Sequence, residues 1–128
     1  MLEKKPDIRA LILVVEDEAL VRMMLVDVLD DAGFKVMEAA HADEALRILA
    51  AVPDVQVVVT DVEMPRGSIN GFELARRVRD DRQDIGVVIA SGRVSPAAGE
   101  LPEGTYFVEK PVPPERLLEL IRALLLQG

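Results

Sequence analysis

Three short runs of β-branched and aliphatic residues constrain this chain more than anything else in it: Ala10–Val15 (ALILVV), Val55–Thr60 (VQVVVT) and Gly86–Ser91 (GVVIAS). None shows the polar–apolar alternation of a strand with one wet face. Near-continuous apolar character marks strands covered on both sides, and parallel sheets are built of such strands. Lys35–Ala39 and Thr105–Glu109 are shorter and more mixed, as flanking strands are.

Helical patterns separate the runs. Leu20, Val21, Met24, Leu25, Val28 and Leu29 recur at helical spacing and predict one apolar stripe. Gly33 stands where a left-handed C-terminal cap belongs, followed by Phe34. Residues 42–51 read as a second helix that Pro53 ends. Residues 71–81 read as a third, with Phe72, Ala75 and Val78 inward and Arg76, Arg77, Arg79 and Arg82 on a solvated face. Pro113 and Pro114 introduce a leucine-rich last helix over 115–126, since proline is tolerated in a first turn. Residues 93–104 hold two prolines and two glycines, so a helix there should be short or irregular. The alternation of strand and helix predicts an α/β fold, a doubly wound parallel sheet. In such sheets function sits at the carboxyl ends of the strands.

A chain of 128 residues suits one domain, with a core spanning about residues 9–126. Asp plus Glu is 23 against 15 for Lys plus Arg, a formal net charge of −8. That balance, with Phe34, Phe72, Tyr106 and Phe107 as the aromatics, argues against a nucleic-acid binder. The absence of cysteine excludes disulfides and thiolate chemistry. No apolar run approaches the roughly 20 residues that span a bilayer. The first ten residues do not read as a signal peptide, so the expected setting is the cytoplasm, away from membranes.

The strand ends carry the chemistry. The first run leads into Glu16-Asp17-Glu18, the third strand into Asp61, the fourth ends at Ser91, and the fifth leads into Lys110-Pro111. A parallel sheet brings these ends to one rim. Close carboxylates repel by about 1–4 kcal/mol per pair at realistic dielectrics, so the cluster needs a neutraliser. Lys110 and a hard divalent cation are the two candidates. Oxygen ligands without His or Cys suit Mg²⁺. Glu-Asp-Glu after the first strand excludes a glycine-rich dinucleotide site there. An aspartate beside Mg²⁺ and a lysine can attack a phosphoryl group, with the Lys110 ammonium and Ser91 hydroxyl on its oxygens. Asp61 is the best nucleophile because it ends the central apolar strand, while Glu16 and Asp17 are paired to hold metal.

On these residues the chain resembles the receiver domains of two-component response regulators. The matching motifs are Val14-Val15-Glu16-Asp17-Glu18, Asp61-Val62-Glu63-Met64-Pro65, Asn70-Gly71, Ala90-Ser91-Gly92 and Lys110-Pro111. The resemblance implies a flavodoxin-like five-stranded sheet in the order 2-1-3-4-5. It implies that Asp61 is the phosphoacceptor, charged by a histidine kinase or phosphotransfer protein. It further implies that Asp17 binds Mg²⁺ with help from Glu16 and the backbone carbonyl of Glu63, and that Ser91 is the switch hydroxyl. Lys110 would bind phosphate, Phe107 would be the switch aromatic, and the Lys110–Pro111 bond would be cis. The chain departs from the family in having Glu at position 16 and Ser at 91, and in a loop over residues 65–71 about two residues longer than usual.

Several residues keep two readings. Glu63 and Arg93 should overhang the site, either as a gate that tunes phosphate lifetime or as an ordinary surface pair. On the last helix, Leu117, Leu120, Ile121 and Leu124 form a core stripe; Leu118 and Leu125 widen it, as partly buried packing or as a homodimer or partner face. His41 reads as a turn residue. Three functions follow: a signalling receiver that switches an unknown downstream protein and is not an enzyme, a Mg²⁺-dependent aspartyl-nucleophile phosphohydrolase, and a non-phosphorylated receiver-like scaffold.

Overall fold

The computed structural model describes residues 9–65, 67–92 and 101–127. Their elements are β1 (Leu11–Val15), α1 (Ala19–Asp31), β2 (Lys35–Ala39), α2 (Ala42–Ala51), β3 (Val55–Asp61), α3 (Gly71–Asp81), β4 (Gly86–Ser91), β5 (Thr105–Glu109) and α4 (Pro114–Gln127). The five strands form one sheet, ordered β2-β1-β3-β4-β5, and every neighbouring pair is parallel. This is the predicted doubly wound architecture. The expectation of a short helix after the fourth strand falls largely on residues 93–100, outside the described residues.

The apolar runs are buried on both faces because alternate residues serve two cores. Leu13, Val15, Val58, Val87 and Ile89 face α2 and α3, where Ala45, Leu49, Phe72, Ala75 and Val78 meet them. Ile12, Val14, Val57, Val59, Val88 and Ala90 face α1 and α4, against Leu29, Leu117, Leu120, Ile121 and Leu124. Fully burying each of the large aliphatic side chains contributes about 1.5–3 kcal/mol. Leu118 and Leu125 pack half-buried against the second core, which supports the packing reading for them, while Leu126 is 88% exposed.

The register places the site. Val15 pairs with Ala39 on one side and Thr60 on the other, Asp61 with Ala90, and Ser91 with Glu109. The Glu16 amide donates to the Ala39 carbonyl at 3.0 Å, and the Lys110 amide to the Ser91 carbonyl at 2.9 Å. The ladder thus runs one residue past the strands and fixes where Glu16 and Lys110 begin.

Local chemistry ends the helices. Gly33, at φ 94°, follows α1 and donates to the Asp30 carbonyl, while the Phe34 amide donates to the Leu29 carbonyl. This paired pattern is the glycine cap expected from the sequence. Asn70 caps α3 by accepting the Glu73 amide at 2.9 Å. His41 is more than a turn residue: its Nδ1 accepts the Glu44 amide at 3.2 Å and caps α2. The peptide bond before Pro111 is cis, as expected.

Two expectations need correction. In α1, Leu20 and Met24 are 70% and 62% exposed, and Met23 joins them on the surface. The face turned to the sheet carries Leu25, Val26 and Leu29. Apolar residues surround most of this helix, so periodicity alone could not choose the inward arc. The arginines of α3 are not one solvated face either. Arg76 and Arg77 pair with Glu73 in the open. Arg79 donates to the carbonyls of Gln83 and Ile85, and Arg82 to the Pro53 carbonyl and to Asp84.

Candidate functional site

A cleft of about 270 Å³ opens at the carboxyl ends of the strands, lined by Asp17, Glu18, Asp61, Glu63, Pro65, Ser91, Gly92 and Lys110. Glu16 lies beneath it, 1% exposed. Carboxylate oxygens of Glu16, Asp17 and Asp61 all fall within 4.8 Å of one another. The residues that sequence reasoning singled out for the pocket are therefore neighbours, drawn from four strand ends. Arg93 lies outside the described residues, and with it the expected Glu63–Arg93 pair.

Lys110 ties the acids together. Its Nζ lies 2.6 Å from Glu16 Oε1 and 3.4 Å from Asp61 Oδ1. The other Glu16 oxygen accepts the Glu18 amide at 3.2 Å. Burial pushes the Glu16 carboxyl above its ordinary value, and the nearby Asp61 charge adds to this; Lys110 and the Glu18 amide pull the other way. For Lys110, burial alone would lower the value, but the hydrogen bond and charge of Glu16, with Asp61 adding, leave it raised. The lysine is therefore held as an ammonium. Within the cluster of Glu16, Asp17 and Asp61, three acidic side chains face one ammonium, and Glu18 and Glu63 add two more acids at the cleft's lining. An all-oxygen donor set with that excess fits a hard divalent cation. Of the two neutralisers considered from the sequence, Lys110 is in place.

Asp61 is aimed by its backbone. Its Oδ1 accepts the Val62 amide at 2.8 Å, and its carbonyl accepts the Thr60 hydroxyl at 2.9 Å. Gly71, the first residue of α3, packs directly on this peptide. A Cβ there would sit 2.0 Å from the Asp61 carbonyl oxygen, so any side chain at this position forces the backbone to shift. The Gly71 amide donates to the Val62 carbonyl at 2.9 Å and locks α3 to the acid-bearing turn. Ser91, 3% exposed, borders the cleft at the end of β4. Phe107, on β5 opposite Ile89, lies half-buried against the core on the α2 and α3 side, its ring stacked 6.5 Å from that of Phe72.

The structure adds residues that the sequence reading missed. The long loop after Asp61 is stapled to α2, because Asp43 accepts both the amide and the hydroxyl of Ser68, at 3.1 and 2.6 Å. Arg22 reaches back from α1 to the Glu16 carbonyl at 2.7 Å and to Glu38 at 3.1 Å. Both contacts join segments distant in the chain, and neither residue type at those positions signals its partner.

The response regulator receiver domain family matches this chain over residues 12–122. Chemotaxis protein CheY1 of Helicobacter pylori is 31% identical over 120 residues, covering 89% of this chain and 95% of that protein. Sensor kinase CckA of Brucella abortus is 36% identical over 129 residues, covering 96% of this chain and 13% of the kinase, so the chain spans a small part of that relative. Among solved structures, a response regulator receiver protein from Sinorhizobium medicae superposes with a TM-score of 0.84 at 26% identity, covering 92% of this chain and 95% of the other.

Proposed function

The chain belongs to the response regulator receiver domain family, and on that premise we propose that it accepts a phosphoryl group on Asp61 in a Mg²⁺-dependent step and passes the change to a partner protein in the cytoplasm. The observation that carries this reading is the pocket itself: Asp61 at the end of the central strand, with Asp17, Glu16, Lys110 and Ser91 gathered around it. Asp17 and Asp61, helped by Glu16 and the Glu63 backbone carbonyl, would hold the cation. Magnesium, when bound, supplies positive charge against the phosphoryl oxygens.

The chain's own groups do the rest. A carboxylate oxygen of Asp61 attacks phosphorus as the bond to the donor's histidine nitrogen breaks. The imidazole leaves with that electron pair and takes a proton from solvent. The Lys110 ammonium, already beside Asp61, stabilises charge spread over the phosphoryl oxygens. The new group adds charge and acceptor oxygens at the rim, which the Ser91 hydroxyl can approach. Such a move opens room beside Phe107 and carries a packing change toward β5. In this reading the protein is an acceptor that assists its own phosphorylation and dephosphorylation, not a turnover enzyme.

Leu20, Met23 and Met24 favour a protein donor. They stand exposed at i, i+3 and i+4 on α1, next to the Glu18 lip of the cleft. Exposed apolar side chains grouped beside a site suit a docking protein better than a small molecule.

Intact mass after incubation with a small phosphoryl donor tests the reading. Wild type should gain one phosphoryl group with Mg²⁺ and little without it, and Asp61→Asn should gain none. An unchanged wild-type mass, or equal labelling of Asp61→Asn, overturns it.

A further inference from the structure

We propose that Arg22 is a positioning residue for cation binding: by holding the Glu16 carbonyl it fixes the peptide that joins the two neighbouring acids of the pocket, and so aims Asp17. The proposal rests on the reading of the pocket as a divalent-cation site.

Glu16 leaves β1 with every polar group tied. Its amide donates to the Ala39 carbonyl, and its two carboxylate oxygens meet Lys110 and the Glu18 amide. The remaining group is its carbonyl, which belongs to the Glu16–Asp17 peptide. Arg22 Nη1 donates to that oxygen at 2.7 Å. The orientation of this peptide decides where the Asp17 side chain starts.

Arg22 is itself held. Its Nε donates to Glu38 Oε1 at 3.1 Å, and Glu38 stands on β2 opposite Val14. The Arg22 side chain is 21% exposed. A planar guanidinium can bond a carbonyl with one nitrogen and a carboxylate with another at fixed spacing, whereas an ammonium is a single point charge. The local helix offers no other help. Glu18 caps α1 without a side-chain hydrogen bond, and the first turn carries no acid.

Electrostatics alone gives this residue the opposite role. A cation beside an acidic pocket repels a second cation, so its removal should tighten Mg²⁺ binding. Positioning predicts weaker binding, because residues that orient metal ligands typically change affinity by about tenfold or more. The two accounts differ in sign.

Calorimetric titration of the metal-free protein with MgCl₂ decides between them. Arg22→Met removes both donors, and Arg22→Lys keeps the charge but replaces the fork. Urea midpoints, measured alongside, confirm that each variant is folded. Positioning predicts binding about tenfold weaker for Arg22→Met and also weaker for Arg22→Lys. Arg22→Lys carries the test alone if Arg22→Met does not fold, since charge alone predicts no change for it. Wild-type binding with unchanged or tighter binding in the folded variants overturns the proposal and leaves the pocket reading intact. A wild type that takes up no Mg²⁺ overturns that reading and this proposal with it.

Discussion

Replacing Lys110 with Met orphans a carboxylate that the fold has buried. Glu16 is 1% exposed, and Lys110 Nζ sits 2.6 Å from its Oε1. Without the ammonium, Glu16 either stays charged near Asp61 or takes up a proton. An uncompensated buried charge costs about 3–5 kcal/mol. Proton uptake at pH 7 by a group whose ordinary value is 4.5 costs about 1.36 kcal/mol for each of roughly 2.5 pH units, about 3.4 kcal/mol in all. The cheaper route sets the ceiling, so the variant should lose about 3 kcal/mol of unfolding free energy at pH 7. At pH 5 proton uptake costs only about 0.7 kcal/mol, and the loss should shrink accordingly.

The sign follows from the direction of the Glu16 shift. Burial, its largest cause, raises the folded value above the unfolded one, and losing Lys110 removes the strongest opposing contribution. The linked stability is complete below the unfolded value and is lost as pH rises through the folded value. Acidification toward pH 5 therefore narrows the gap to wild type. Urea unfolding followed by far-ultraviolet circular dichroism reads this directly. With a slope of about 1–3 kcal/mol per molar, the loss at pH 7 moves the midpoint by about 1 M or more. Adding Glu16→Gln should restore most of the loss at pH 7, because the orphaned charge is gone. A loss that is the same at both pH values, or that Glu16→Gln leaves unrelieved, refutes the reasoning.

Gly71→Ala should lose about 1–3 kcal/mol in the same assay and slow phosphorylation, because its Cβ meets the Asp61 backbone. Gly33→Ala is the contrast: space there is open and the φ of 94° alone is strained, so about 1–2 kcal/mol is lost with phosphorylation unchanged. Ser68→Ala should lower the melting temperature at pH 7. The Ser68 hydroxyl and then its amide hold the Asp43 carboxyl below the ordinary 3.8, so that stability is present above this value and is lost as pH falls through the lower folded value; the two melting curves should converge in acid. Met23→Glu should slow transfer from a protein donor and leave labelling by a small phosphoryl donor unchanged; equal slowing of both removes α1 from the docking face.

How much of this could be read beforehand depends on how far each feature reaches along the chain. The buried strands were legible because a run such as Val57-Val58-Val59 has no polar face to offer water. Asp17, Asp61, Ser91 and Lys110 were legible because each stands at or just past the end of an expected strand. The inward face of α1 was not, since apolar residues surround that helix and the choice is made by the sheet beneath it. The roles of Arg79 and Arg82 were also hidden. A long cation on a helix reads as solvated until its neighbours show carbonyls within reach. The Asp43–Ser68 staple joins two common surface residue types, and its partners are chosen by the path of the long loop.

Chemical trapping of the adduct tests the central claim most directly. Borohydride reduces an aspartyl phosphate to homoserine and leaves free aspartate untouched. After phosphorylation with Mg²⁺ and reduction, peptide mapping should find homoserine at position 61 and nowhere else. Homoserine at another aspartate, or none from a protein that has gained a phosphoryl group, would contradict the account.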